Sequence, residues 1–149
     1  MGDSGGESGR HWVLLRHEMP DGSWHYDWML EWDSTPDAER ALVSFRVSVR
    51  PDERVGMAIE GERIGAHRRV YLEFEGDVSG GRGRVVRVAR GDLVGLIMSD
   101  DSIDVALRIG RAVARWQGSP MGRGSAGGGP VWWRFEPVDP VAPGRASGA

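Results

Sequence analysis

The sequence predicts an all-β fold: a single compact antiparallel β-barrel with glycine-rich loops and disordered termini. Short segments in which apolar and polar residues alternate recur along the chain, and this period of two is typical of half-buried strands. Glycine accounts for 23 of the 149 residues and falls between those segments, where tight turns are needed. A chain of this length forms one domain with its own core.

The first two predicted strands, residues 12–18 and 24–32, form a hairpin. Residues 20–22 between them read Pro-Asp-Gly, so proline presets φ for the first loop position and glycine can adopt the left-handed conformation. A three-residue loop with glycine last is a common hairpin connection. This loop places His17 directly opposite His25.

The second strand has two chemically different faces, and we expect the aromatic one to face the core. The other face should then border a solvated surface or a cleft. The core-facing set is Tyr26, Trp28, Leu30 and Trp32, and the opposite set is His25, Asp27, Met29 and Glu31.

The later strands follow the same alternation and are predicted at residues 42–49, 70–75, 84–88 and 131–135. Residues 103–116 are predicted as a second hairpin with a turn at Gly110-Arg111, although an amphipathic helix is the alternative interpretation of this segment. The barrel domain is expected at 11–136, between a disordered N-terminus at 1–10 and a flexible tail at 137–149. Residues 118–130 should form a mobile loop.

Composition excludes several classes of chemistry. The chain has no cysteine and all 19 basic residues are arginine, so disulfides, zinc–thiolate sites, thiol nucleophiles and lysine nucleophiles are absent. No apolar run approaches the length of a membrane helix, the glycine-rich start does not resemble a signal peptide, and we expect a soluble cytoplasmic protein.

The net charge is −3, but residues 61–90 carry seven arginines against four acids. These arginines form either a phosphate-binding patch or an ordinary solvated strand face.

A metal site is predicted at His17, His25 and Asp27. Residues two apart on a strand point to the same face, and the hairpin places the second imidazole opposite. Two imidazoles and a carboxylate suit a divalent cation. The alternatives are polar surface residues without a ligand and a two-histidine, one-carboxylate iron oxygenase. The latter is disfavoured because the second histidine precedes the triplet on the same hairpin.

Three motifs in order resemble the 3′-phosphoesterase domain of bacterial DNA ligase D, a family that also exists as stand-alone proteins. They use three of the four histidines, and the resemblance covers about residues 12–91, with a vaguer continuation to 133. The matching stretches are LLRH at 14–17, HYDWMLE at 25–31 and HRRVYLEFEG at 67–76, followed by the glycine-rich DVSGGRG at 77–83.

The resemblance implies a β-barrel with a metal site in a surface cleft. Its implied activity is removal of a 3′-phosphate or a 3′-terminal ribonucleotide from DNA or RNA–DNA primer ends, usually with Mn²⁺, leaving a 3′-hydroxyl. Carried over by motif, His17, His25 and Asp27 are the metal ligands, and His67 and Tyr71 contact the scissile phosphate. Any ligase or polymerase partner would be a separate protein.

Two positions depart from the family pattern. Met29 stands where the family has an arginine that contacts phosphate, and Leu15 stands where a polar residue is common. Four arginines are candidates to bind phosphate or nucleic acid instead: Arg50, Arg68, Arg69 and Arg82. If none does, the alternative is a non-catalytic module of the same fold that binds nucleic-acid ends or a repair partner.

Overall fold

A computed structural model describes residues 10–32, 40–121 and 130–138. These ranges form nine antiparallel strands and two single-turn 3₁₀ helices, which confirms the predicted all-β class. The strands are β1 (Arg10–Glu18), β2 (Trp24–Glu31), β3 (Leu42–Val47), β4 (Ile59–His67), β5 (Gly76–Asp77), β6 (Arg84–Met98), β7 (Ile103–Ile109), β8 (Ala112–Pro120) and β9 (Val131–Pro137), with η1 (Pro51–Glu53) and η2 (Arg69–Leu72) between them.

Eight strands close into a barrel in the order β1-β2-β3-β4-β9-β8-β7-β6, and β6 pairs back onto β1. The first part of β6 pairs with β1 and its last part with β7, so this long strand closes the barrel. The two-residue β5 adds to the start of β6. Closure leaves few unpaired strand edges, which protects an all-β chain from edge-to-edge aggregation.

Two separate apolar clusters hold the structure together. The barrel interior is aromatic: the Trp28 ring lies 5.3 Å from Phe135 and 6.0 Å from Trp116, measured between centroids. A smaller cluster lies outside the barrel, where the segment containing η2 covers the outer face of β1, β2 and β6. Its buried members are Val13, Leu15, Met29, Leu42, Leu72 and Val85.

The two predicted hairpins are confirmed. In the first, the Met19 N–H donates to the Ser23 carbonyl at 2.8 Å, and Gly22 has a φ of 93°. His17 pairs directly with His25, as the loop length requires. In the second, β7 and β8 pair along their whole length around the turn at Gly110-Arg111, so the helical alternative is excluded.

The predicted strand at residues 70–75 is wrong. Residues Arg69–Leu72 form η2, in which the Tyr71 N–H donates to the Arg68 carbonyl at 3.1 Å. The alternating apolar residues do not share a buried face here, since Leu72 packs onto the outer cluster while Val70 is half exposed. β4, by contrast, was not predicted, because glycines and charged residues interrupt its apolar pattern.

Both predicted faces of β2 need correction. Trp32 is 50% exposed because β2 stops at Glu31, beyond which the side chain leaves the barrel interior. Asp27, Met29 and Glu31 are buried, since the outer cluster and its covering segment enclose that face. A solvated outer face was expected for β2. This face is instead buried, and its side chains pack partly against the outer apolar cluster.

Some predicted boundaries also shift. β3 ends at Val47 and β6 continues to Met98. Arg10, placed in the disordered terminus, begins β1, and Pro137, placed in the tail, ends β9. Of the predicted loop 118–130, residues 118–120 belong to β8, while 122–129 lie outside the described residues, as do 1–9 and 139–149. In the described ranges, no helix is long and apolar enough to cross a membrane.

We expect Gly91→Ala to destabilise the barrel where β6 closes onto β1. A Cβ at Gly91 would lie 2.6 Å from Trp12 Nε1 and 2.8 Å from the Arg108 carbonyl oxygen, the two atoms that form a hydrogen bond there. Overpacking of this kind costs roughly 1–3 kcal/mol of unfolding free energy. Gly95→Ala on the same strand is the control, because its Cβ would meet only Ala106 at 3.8 Å. Equal denaturation midpoints for both variants would contradict the packing described.

Candidate metal centre and cleft

The β1–β2 hairpin brings His17, His25 and Asp27 together on the outer face of the barrel. His17 pairs with His25, and Asp27 pairs with Leu15, two residues from each histidine along its strand. One ligand atom from each side chain lies within 4.8 Å of the others. The predicted trio is therefore assembled by a single turn and its register.

The Asp27 carboxylate lies between the two imidazoles. Its Oδ2 is 3.3 Å from His17 Nδ1, and its Oδ1 is 3.2 Å from His25 Nε2. The two rings meet edge to face with centroids 5.0 Å apart. Donor atoms of three side chains thus converge on one spot from adjacent strands.

The chemistry of the trio fits a divalent cation. Within the described part of the chain, His25 Nε2 and Asp27 Oδ1 are both buried and neither has a hydrogen-bond partner, although they are 3.2 Å apart. Buried polar atoms are nearly always satisfied, so a neighbouring unsatisfied pair requires an explanation. A cation held by two imidazole nitrogens and a carboxylate would satisfy both atoms and leave coordination positions open for substrate or water.

A backbone contact orients His17. Its Nε2 lies 2.7 Å from the Arg82 carbonyl oxygen, which accepts a hydrogen bond and so leaves Nδ1 as the ligand nitrogen. Arg82 is in the turn between β5 and β6, flanked by Gly81 and Gly83 at positive φ. A Cβ at Gly83 would overlap the Glu18 carbonyl oxygen. The glycine-rich turn can therefore approach β1 only because Gly83 has no side chain.

The electrostatics of the trio favour a charged carboxylate. Burial alone would raise the pKa of Asp27, but the contacts with His17 and His25 outweigh it and lower that pKa to about 2. The contact with Asp27 raises the pKa of His17, with support from the Arg82 carbonyl and against the effect of burial. Asp27 is thus ionised at any working pH, and a proton on His17 competes with a metal ion.

A cleft of about 490 Å³ opens beside the trio. His17 and Asp27 lie on one side, and the same cleft is lined by His67, the last residue of β4, and by Tyr71 of η2. The His67 and Tyr71 rings meet edge to face with centroids 5.4 Å apart. His17, Asp27, His67 and Tyr71, which come from separate sequence motifs, therefore line a single cleft, and His25 adjoins it through its contact with Asp27.

His67 is held by a residue that belongs to none of the sequence motifs. Its Nδ1 lies 2.9 Å from the hydroxyl oxygen of Ser44, a fully buried residue of β3. Burial lowers the pKa of His67, with smaller contributions from the charges of Arg40 and His17, while Asp27 and the Gly65 backbone oppose the shift. The ring is therefore neutral at neutral pH.

Two of the four predicted phosphate-binding arginines lie in the cleft. Arg68 precedes η2 and Arg82 belongs to the glycine-rich turn, and both line the cleft. The other two lie outside its lining. Arg50 donates to an aspartate two residues further on at 2.7 Å, and Arg69 donates to Glu31 at 2.8 Å.

Two further arginines lie at or beside the cleft and were missed by sequence reasoning. Arg40 precedes β3, lines the cleft and donates from Nη1 to the Ala66 carbonyl at 3.0 Å. Arg46 is exposed and pairs directly with Asp27 across β2 and β3. No local sequence pattern marks either residue, because its placement depends on how β3 pairs with its neighbours.

Met29 is 1% exposed and lines the cleft while packing in the outer cluster. It stands where the resemblance to the phosphoesterase family leads one to expect an arginine. Leu15, the second departure, belongs to the same cluster. Both residues hold the segment containing η2 against the barrel, so these two positions serve packing in this chain.

Among known proteins, no family model matches this chain, and no curated protein matches it.

We expect the trio to bind Mn²⁺ with an affinity that falls as the pH is lowered. Metal ligands must be deprotonated, and His17 has a raised pKa, so affinity should fall from near neutral pH downward by about tenfold per pH unit. Calorimetric titration between pH 8 and pH 5.5 measures this. His25→Ala should weaken binding by more than the roughly 10–100-fold typical for losing a group that merely orients a ligand.

His11→Ala is the matched control for this titration, because His11 contacts Glu31 and is not a member of the trio. Equal weakening by His11→Ala and His25→Ala, or an affinity that does not change with pH, would contradict the assignment.

Proposed function

We propose that this protein is a metal-dependent 3′-phosphoesterase-like hydrolase that heals nucleic-acid ends by removing a 3′-phosphate or a 3′-terminal ribonucleotide. The observation that carries the proposal is the shared cleft, which is lined by His17 and Asp27 of the trio together with His67 and Tyr71. We further propose that it acts in the cytoplasm on ends later sealed or extended by separate ligase or polymerase proteins.

The charge of the cleft supports a phosphate substrate. Its described lining includes Arg40, Arg68 and Arg82 and only one carboxylate, that of Asp27. That carboxylate would be neutralised by the cation it holds. A cleft with a positive field attracts phosphate, and each guanidinium offers paired donors that match two phosphate oxygens.

The proposed cofactor is Mn²⁺, which when bound would accept phosphate oxygens and lower the pKa of a bound water. The protein residues supply the rest. The arginines and the Tyr71 hydroxyl donate to non-bridging oxygens, and His67 takes part in proton transfer. In the net reaction the water oxygen bonds to phosphorus, the bond from phosphorus to O3′ breaks, and a proton passes to O3′ to leave a 3′-hydroxyl.

A second candidate function is a binding module for nucleic-acid ends or a repair partner that keeps the cleft but does not turn over. Met29 favours it, because a buried thioether offers phosphate no strong donor at that position. Under this alternative the cleft still binds a 3′-phosphate end, and the protein leaves that end chemically unchanged.

The activity test uses the purified protein with Mn²⁺, one DNA strand ending in a 3′-phosphate and one primer ending in a single 3′-ribonucleotide. We expect turnover of at least one. His67→Ala should lower the rate by roughly 10²–10⁴-fold, the range for a proton-transfer group. Tyr71→Phe should lower it less, and His11→Ala should leave it unchanged.

The outcomes separate the two candidates. Binding of the 3′-phosphate strand without turnover, weakened in Arg40→Ala, would replace the hydrolase by the binding module. Neither binding nor turnover by well-folded, Mn²⁺-loaded protein would contradict both.

Arg40→Ala should weaken binding of the 3′-phosphate strand by about 1.5–3 kcal/mol, the usual worth of a hydrogen bond to a charged group. The matched control is Arg111→Ala, which removes the same charge from the exposed turn between β7 and β8. Equal losses in the two variants, measured by fluorescence anisotropy at fixed salt, would show a general charge effect and remove Arg40 from the phosphate site.

A further inference from the structure

The His67 ring is anchored through a hydroxyl buried between strands. Ser44 is fully buried in β3, and its Oγ lies 2.9 Å from His67 Nδ1. The β3–β4 register is irregular between Leu42 and Ser44, where Leu42 pairs with His67 but Ser44 pairs with Ile64. This irregularity lets the ring at the end of β4 reach back to Ser44.

The two contacts of the Ser44 hydroxyl favour one tautomer of the His67 ring. A serine hydroxyl has one hydrogen to donate, and that of Ser44 donates to the Leu42 carbonyl at 3.0 Å. The Ser44 contacts with Leu42 and with His67 can both be hydrogen bonds only if Nδ1 of His67 carries a hydrogen and donates it to the Ser44 oxygen. In a neutral imidazole the other nitrogen, Nε2, then has a free lone pair.

The surroundings of His67 favour this neutral form. Burial lowers its pKa, and the positive charges of Arg40 and His17 act in the same direction. Asp27 and the Gly65 backbone oppose the shift without reversing it. Because the fully buried Ser44 contacts Nδ1, Nε2 is the nitrogen left for the cleft that His67 lines.

We propose that Ser44 is a positioning residue, which holds His67 in the Nδ1–H tautomer so that Nε2 serves the cleft as a proton acceptor. The catalytic consequence rests on the proposed function. Nε2 accepts a proton from the attacking water as its oxygen bonds to phosphorus, and the protonated ring returns that proton to O3′ as the phosphorus–O3′ bond breaks. Phosphate binding then falls to the arginines and Tyr71 rather than to His67.

The tautomer can be read without any activity. Long-range ¹H–¹⁵N correlation spectra of the metal-free protein at neutral pH distinguish a protonated ring nitrogen from an unprotonated one, and His67→Gln assigns the signals. We expect Nδ1 protonated and Nε2 unprotonated, and a mixture of tautomers in Ser44→Ala. A protonated Nε2 in the unaltered protein, or an unchanged single tautomer in Ser44→Ala, would overturn the proposal.

Steady-state kinetics test whether the tautomer of His67 matters for catalysis. Ser44→Ala should lower kcat by roughly 10–100-fold, the usual effect of losing a group that orients a functional histidine, while KM changes less than about twofold. Ser44→Thr keeps the hydroxyl and should restore both the tautomer and most of kcat. Near-UV circular dichroism checks that each variant is folded.

The two proposals fail in different ways. If the unaltered protein shows the Nδ1–H tautomer but no turnover, the hydrolase is contradicted, and its catalytic step with it, while the positioning by Ser44 stands. Turnover together with a protonated Nε2 would overturn the role of Ser44 and leave the hydrolase intact. An unchanged kcat in folded Ser44→Ala would also count against that role.

Discussion

The structure around the cleft depends on one buried charge. The Asp27 side chain is only 4% exposed, and taking an ionised carboxylate out of water costs several kcal/mol even after the protein relaxes. His17 and His25 offset that cost from either side, which is why the pKa of Asp27 falls to about 2 despite its burial. Removing either histidine would leave a buried charge that has lost one of its two partners, so the three residues form one unit.

The rest of the fold supplies what this unit requires. Pairing of β1 and β2 inside a closed barrel fixes the spacing of the two histidines, since the register of a strand within a barrel cannot slip without exposing the aromatic core. The outer cluster then holds η2 and the glycine-rich turn over the same face. That second layer closes the cleft, brings Tyr71 beside His67, and places the Arg82 carbonyl on His17.

The sequence predicts the hairpin trio well because all the information is local. The loop at residues 20–22 determines the pairing, and the pairing determines which side chains meet. His67 is different, because its position depends on β4. Glycines and charged residues hide the strand pattern of β4, and one of its two partners, β9, is distant in sequence. Ser44 carries no motif at all, and its role follows only from the irregular register of β3 and β4.

The error at residues 70–75 has the same origin. Alternating apolar residues form a strand when a neighbouring strand has a free edge to pair with. Here the segment lies on the outside of the barrel, whose strands are already paired on both edges. A single 3₁₀ turn then buries Leu72 and satisfies its own backbone.

The most direct test of the metal site at His17, His25 and Asp27 is a crystal structure with Mn²⁺ and anomalous diffraction at the manganese edge. We expect one ion within roughly 2.0–2.3 Å of His17 Nδ1, His25 Nε2 and an Asp27 oxygen. An ion bound elsewhere, or none at saturating Mn²⁺, would contradict it.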